Sequence, residues 1–239
     1  MSDLDGLRLR CSDALFLDFD GTLAEIGPDP GAIVLPDETL QALERLAARL
    51  DGALALLSGR DLRDLAKRTP AGVWRAGGHG LEVLPPGASP PRTALCAPAA
   101  LLGALSALDK VAGVWIEVKG PVIALHYRAA PEAEQTCRRV AEDALTAAPG
   151  YRLQVGKMIV ELKPEGADKG AALRRLCRQA PFAGRRPVML GDDTTDEDAM
   201  HVAQDLGGIA VNVGAGESIA DLHTPDPAAV RCWIDREAG

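Results

Sequence analysis

Apolar positions in this chain come first in short unbroken runs, then in helical spacing, then in runs again. Ala14–Asp18 is a short apolar stretch ending on an acidic residue and then a glycine, which reads as a buried strand. From Asp37, which follows Pro36 and is placed to cap a helix, Leu40, Leu43, Leu46, Ala47 and Leu50 fall on one helical face. Asp51-Gly52 stops that helix, Ala53–Leu57 is a second apolar run, and another helix is expected from Asp61. The rhythm returns near the end: a helix over Lys169–Gln179, a strand at Pro187–Leu190, a helix over Asp196–Gln204 and a strand at Ile209–Val213. Strands alternating with helices predict a parallel sheet covered by helices on both faces.

The middle breaks this rhythm. Prolines 85, 86, 90 and 91 mark a linker-like stretch. A helix (Ala99–Leu108), two strands (Val114–Val118 and Val122–Tyr127), a helix (Glu132–Ala147) and two more strands (Tyr151–Val155 and Met158–Leu162) are expected next. Gly120-Pro121 and Gly156-Lys157 supply the hairpin turns. The segment reads as an α+β insert, so the expected organisation is a core of residues 1–85 and 165–239 interrupted by an insert over 86–164. Pro85–Pro91 and Lys163–Gly166 are the candidate hinges.

Composition limits the function classes. At roughly 150 residues per domain, 239 residues allow one large domain or two unequal ones. A content of 47% hydrophobic and 25% charged residues is that of an ordinary globular chain. No apolar run reaches the length of a membrane span, and the start of the chain lacks the pattern of a secretion signal. The net charge of -8 is the wrong sign for a nucleic-acid binder. Five cysteines, none in a C-x-x-C pair, argue against a disulfide framework and fit a cytoplasmic protein. At 3% aromatics, a stacking surface built from several Trp or Tyr side chains is not expected.

The chemistry gathers where strands end or helices begin, and in an open parallel sheet ligands bind beyond the carboxyl ends of the strands. Asp18 and Asp20, in DFDGTL, are two carboxylates that would repel without a cation or protons between them, and oxygen ligands of this kind suit Mg²⁺. Ser58-Gly59-Arg60 follows the second strand; a hydroxyl and backbone N–H groups there can hold a phosphate oxygen, although S-G-R alone is more often a plain turn. Lys169 opens a helix after the insert, a position usually facing solvent. The run Asp192–Asp198 carries more carboxylates than helix capping needs, which points to a metal site.

Taken in order, DFDGTL, LLSGR, DKG and GDDTTDEDAM resemble the haloacid dehalogenase (HAD) phosphatase superfamily. GHGLE (78–82), VWIEVKGPVIALHYR (114–128), GKMIVELKP (156–164) and TPDPAAV (224–230) resemble the trehalose-6-phosphate phosphatases within it. One departure is Gly78, where many members carry Asn or Ala before the histidine. The resemblance implies an α/β fold: a HAD-like Rossmannoid core with an inserted C2-type α+β cap. It also implies hydrolysis of trehalose 6-phosphate through an aspartyl-phosphate on Asp18. Mg²⁺ would be held by Asp18, the backbone carbonyl of Asp20, and Asp192. Asp20 would act as general acid and base, with Ser58, Lys169, Gly59 and Arg60 on the phosphate side of the substrate. Thr22, Asp193 and Asp196 would support them, Asp196 and Asp193 by orienting Lys169 or a metal-bound water.

In the insert, strand alternation puts Trp115, Glu117 and Lys119 on one face, Ala124, His126 and Arg128 on another, and Lys157, Ile159, Glu161 and Lys163 on a third. Such faces can be merely solvated. The resemblance instead assigns Glu117, Lys119, Arg128 and Glu161 to the glucose unit remote from the phosphate, with Lys157 and His79 as weaker candidates, on a cap that closes over the sheet ends. A monomer with no membrane or nucleic-acid partner is expected. The alternatives are a phosphatase for another sugar phosphate such as sucrose 6-phosphate, a non-catalytic sugar-phosphate sensor, and a phosphomutase.

Overall fold

A computed structural model describes residues 2–27, 29–92, 94–156 and 158–239. In chain order the elements are β1 (Asp13–Leu17), α1 (Asp37–Arg49), β2 (Leu54–Leu57), α2 (Leu62–Arg68), β3 (Trp74–Gly77), β4 (Glu82–Leu84), α3 (Ala99–Leu105), β5 (Trp115–Lys119), β6 (Val122–His126), α4 (Glu134–Leu145), β7 (Tyr151–Gly156), β8 (Ile159–Pro164), α5 (Lys169–Leu176), β9 (Arg186–Gly191), α6 (Thr194–Asp205), β10 (Ile209–Val213), β11 (Leu222–Thr224) and α7 (Pro227–Ala238). They divide into two compact units, Met1–Pro90 with Asp168–Gly239, and Pro91–Ala167.

The first unit is built on one sheet of order β11-β10-β9-β1-β2-β3-β4. All neighbours run parallel except the edge pair β3–β4. β1 is central and buried at every position, as an apolar run covered on both faces must be. Its neighbours β2 and β9 are equally apolar in their middles, so the residues that leave their carboxyl ends are brought side by side. α1 buries Ala42, Leu43, Leu46 and Ala47 and packs beside α7, while α5 lies against α6.

Several boundaries differ from expectation for local reasons. Asp37 does not cap α1: Pro36 occupies the cap position and Asp37 is the first helical residue, where its charge favours the helix N-terminus. The short strands β3, β4 and β11 and the helix α7 were not evident in the pattern. β3 contains Arg75 and ends on Gly77, and the three-residue strands β4 and β11 carry too little alternation to be read.

The second unit is an antiparallel sheet of order β5-β6-β8-β7, with α3 and α4 packed on its apolar face. The register places side chains in ranks on the other face. One rank is Trp115, His126, Ile159 and Gly156, and the next is Glu117, Ala124, Glu161 and Gln154. A third brings together Lys119 with Val122 and Lys163 with Arg152. Arg128 lies beyond the strand. β6 ends at His126, and Arg128 lies exposed in the turn closed by Ala130 N–H donating to the Tyr127 carbonyl. Lys157 lies outside the described residues. The chain stays with this unit through Ala167, because Glu165 N–H donates to the Gly150 carbonyl and Arg152 donates to that of Ala167.

Candidate active site

Asp18 is the first residue beyond β1, and its N–H donates to the Leu190 carbonyl of β9. Lys169, the first residue of α5, is 4% exposed. Its Nζ donates to Asp18 Oδ1 and to Asp196 Oδ1, both at 2.7 Å. The helix cap that puts it there is Asp168, whose side chain accepts from Ala171 N–H at 2.8 Å. A lysine at a helix start usually faces solvent, but two buried carboxylates draw this one inward.

The acidic run after β9 separates into distinct tasks. Asp193 is exposed and caps α6. Asp196, at the third helical position, completes the capping box, its Oδ2 accepting from the N–H groups of Asp192 and Asp193 at 3.3 and 3.2 Å. With Oδ1 on Lys169, both Asp196 oxygens are engaged. Asp192 receives the Thr22 hydroxyl on Oδ1 at 3.3 Å. It also presses against Gly21, which has φ +83°, and a Cβ added there would sit 2.1 Å from Asp192 Oδ2. Only glycine fits both constraints.

Oxygens of Asp18, Asp192 and Asp196 come within 4.8 Å of one another. Three carboxylates thus face a single ammonium. Burial, with the charges of Asp196 and Asp192, outweighs Lys169 and holds the Asp18 carboxyl well above the usual range. Burial and Asp196 push Asp192 up to about 7. Burial raises Asp196 as well, against the pull of Lys169. Burial opposes the charge on Lys169, but the two carboxylates prevail and hold it as ammonium. A cluster in this state is short of positive charge. Its hard oxygen donors suit a divalent cation of the Mg²⁺ class. The hydrogen bonds leave Oδ2 of Asp18 and Oδ2 of Asp192 as the available ligand atoms, while Asp196 serves as scaffold.

Asp20 sits one residue past Phe19, partly exposed, with both oxygens gripped by Arg60: Nε to Oδ2 and Nη2 to Oδ1, each 2.6 Å. Arg60 also donates to Asp64 at 2.8 Å, and its guanidinium lies over the Phe19 ring, 5.2 Å from the centroid. The structure thus places Arg60 on two carboxylates, Asp20 and Asp64. Asp64 was missed, although its place one helical turn beyond Arg60 was the available signal. Ser58 is buried at the end of β2, its Oγ accepting from Arg60 N–H at 3.1 Å. His79 is buried beside it, its N–H on the Ser58 carbonyl at 2.9 Å, its backbone in the left-handed region at φ 55°. Gly59 faces that ring; a Cβ there would meet His79 Nε2 at 2.8 Å.

In the second unit, Glu117 Oε2 takes His126 Nε2 at 2.9 Å and Lys119 Nζ at 3.3 Å. Burial raises the Glu117 carboxyl, but the His126 hydrogen bond and the Lys119 charge leave it below its usual range. Glu161 lies in the same rank, buried across Ala124. His126 had been read only as a face residue.

The family model described as trehalose-phosphatase matches residues 16–230. The trehalose-6-phosphate phosphatase of Escherichia coli (strain K12) is 40% identical over 234 residues, covering 95% of this chain and 87% of that protein. Among solved structures, the C-terminal domain of the C. albicans trehalose-6-phosphate phosphatase aligns with a TM-score of 0.78 at 24% identity, over 95% of this chain and 92% of that one. A HAD subclass IIB sugar phosphatase aligns at 0.57 and 17% identity, over 94% and 98%. The chain shares the fold of these two structures.

Proposed function

The chain belongs to the trehalose-phosphatase family, and on that premise we propose that it hydrolyses trehalose 6-phosphate to trehalose and phosphate, with Mg²⁺ and through an aspartyl-phosphate on Asp18. The observation that carries the chemistry is the Lys169 ammonium, 2.7 Å from both Asp18 and Asp196 at the carboxyl end of the central strand. Phosphoryl transfer asks for positioning and for neutralised charge. An ammonium fixed beside the attacking carboxylate supplies both.

The Asp18 carboxylate attacks phosphorus and the sugar oxygen departs, leaving the phosphoryl group on Asp18. Asp20 gives its proton to that oxygen and then takes one from the water that cleaves the aspartyl-phosphate. Because Arg60 occupies both Asp20 oxygens, the pair has to part for either transfer. Ser58 and the N–H groups around Gly59 bind phosphate oxygens, Lys169 neutralises the transferring group, and Thr22 and Asp196 hold Asp192 and Lys169 in place. Bound at Asp18, Asp192 and the Asp20 carbonyl, a Mg²⁺ ion would supply charge neutralisation for the phosphoryl group. Asp193 acts through the helix cap. Glu117, Lys119 and Glu161 bind sugar hydroxyls, with Arg128 and His79 as further contacts. Five free cysteines support a reducing compartment such as the cytoplasm. No described helix is long and apolar enough to cross a membrane.

The test is phosphate release with Mg²⁺ from trehalose 6-phosphate, sucrose 6-phosphate and glucose 6-phosphate. A clear preference for the first is expected. Equal rates on all three would remove the substrate assignment and leave the phosphatase chemistry.

A further inference from the structure

Of the three tryptophans, Trp233 is 1% exposed and Trp74 is half-buried in the core, but Trp115 is 57% exposed on a strand. Large aromatic side chains contribute by burial, so an indole left open on a polar sheet face calls for an explanation. Trp115 is also not loose. Its ring stacks on the His126 imidazole, centroids 4.7 Å apart and planes 19° from parallel. His126 is fixed in turn by its 2.9 Å hydrogen bond to Glu117, whose same oxygen faces Lys119. One indole face is therefore backed by a held ring and the side chain remains largely open.

The neighbouring rank is polar. Glu117 and Glu161 flank Ala124 in register, so two carboxylates share that rank. Next to Glu161 in register, the buried Oε1 of Gln154 has no hydrogen-bond partner. An aromatic face beside a row of acceptors matches one chemical class closely. A pyranose presents C–H groups on its ring face, which an electron-rich indole attracts, and hydroxyls on its rim, which carboxylates accept. Because stacking on His126 fixes the indole beforehand, little freedom is lost on binding.

We propose that Trp115, oriented by His126 and Glu117, is the stacking platform for a pyranose ring of the substrate. This deepens the trehalose 6-phosphate reading and rests on it. Replacing a platform is felt in ground-state binding, so Trp115→Ala should raise KM for trehalose 6-phosphate about tenfold, with kcat falling much less. Trp115→Phe keeps an aromatic face and should restore most of the loss. Tryptophan emission of the wild-type protein should change on titration with trehalose, and that change should vanish in Trp115→Phe.

An unchanged KM in Trp115→Ala would overturn the proposal. So would equal impairment of the Ala and Phe variants, or an emission change that survives in Trp115→Phe. Absence of turnover of trehalose 6-phosphate by the wild-type protein would overturn the substrate reading and this proposal together. Turnover with an unmoved KM overturns the proposal alone. Circular dichroism of both variants separates a binding loss from unfolding.

Discussion

Arg60 holds both carboxylate oxygens of Asp20, each at 2.6 Å, and so occupies the group assigned to proton transfer. A two-point grip sets direction as well as charge. Arg60→Lys replaces the fork by a point charge, and kcat for trehalose 6-phosphate should fall about tenfold or more. In an Asp20→Asn background the same change should cost far less, since the two act as one unit. Equal losses in both backgrounds, measured by single-turnover kinetics, would mean Arg60 acts directly on substrate.

Asp18→Asn should abolish turnover while the protein stays folded. Removing one of three crowded carboxylates relieves repulsion, so the melting temperature should not fall. Wild-type-like phosphate release by this variant would take Asp18 out of the mechanism. Lys169→Met does the opposite: it strands buried Asp18 and Asp196 without their ammonium and should cost roughly 3–5 kcal/mol by denaturant unfolding.

The pH dependence of stability follows from Asp192, whose folded carboxyl is raised to about 7. A group raised on folding binds more protons in the native than in the unfolded state, so stability falls as pH climbs from the ordinary carboxylate range toward neutrality. Protein treated with a chelator should lose stability over that window. Mg²⁺ should restore more of it at neutral than at acidic pH. A melting temperature raised equally by Mg²⁺ at both ends would contradict a cation held by this carboxylate.

How much of this was legible in the sequence depended on range. β1, β2, β9 and β10 were legible because unbroken apolar runs need both sheet faces covered, and Asp18, Ser58 and Asp192 followed as the residues leaving those runs. The end of β6 was not legible, because alternation carries no sign of where a strand stops; the turn at Tyr127–Ala130 puts Arg128 beyond it. Arg60 on Asp20 and Trp115 on His126 were illegible for another reason. Both pairs join residues from different elements, and a partner across a fold leaves no periodic trace.

Gly21→Ala tests how tightly the site is built. The added Cβ would collide with Asp192 in a backbone conformation that alanine resists. Strain of about 1–3 kcal/mol is expected, together with a loss of activity larger than the melting shift suggests, because Asp192 must move. Activity close to wild type would show that Asp192 has room to yield.

Thiol reactivity offers a check independent of catalysis. Burial pushes the Cys177 thiol up to about 11 and raises that of Cys137 too, whereas Cys11, Cys96 and Cys232 are exposed. At mildly alkaline pH a thiol reagent should label the three exposed cysteines promptly and the other two only on unfolding.

The bond between Asp18 and Lys169 spans 151 residues of chain, and the whole second unit, with its own apolar core, lies between them. A ribosome delivers Asp18, Asp20 and Ser58 early and withholds Lys169 and Asp192 until that unit has emerged. Any nascent or truncated chain ending before α5 therefore carries the Asp18 carboxylate without its ammonium. The buried carboxylate–ammonium cluster can close only after the second unit and α5 have been made.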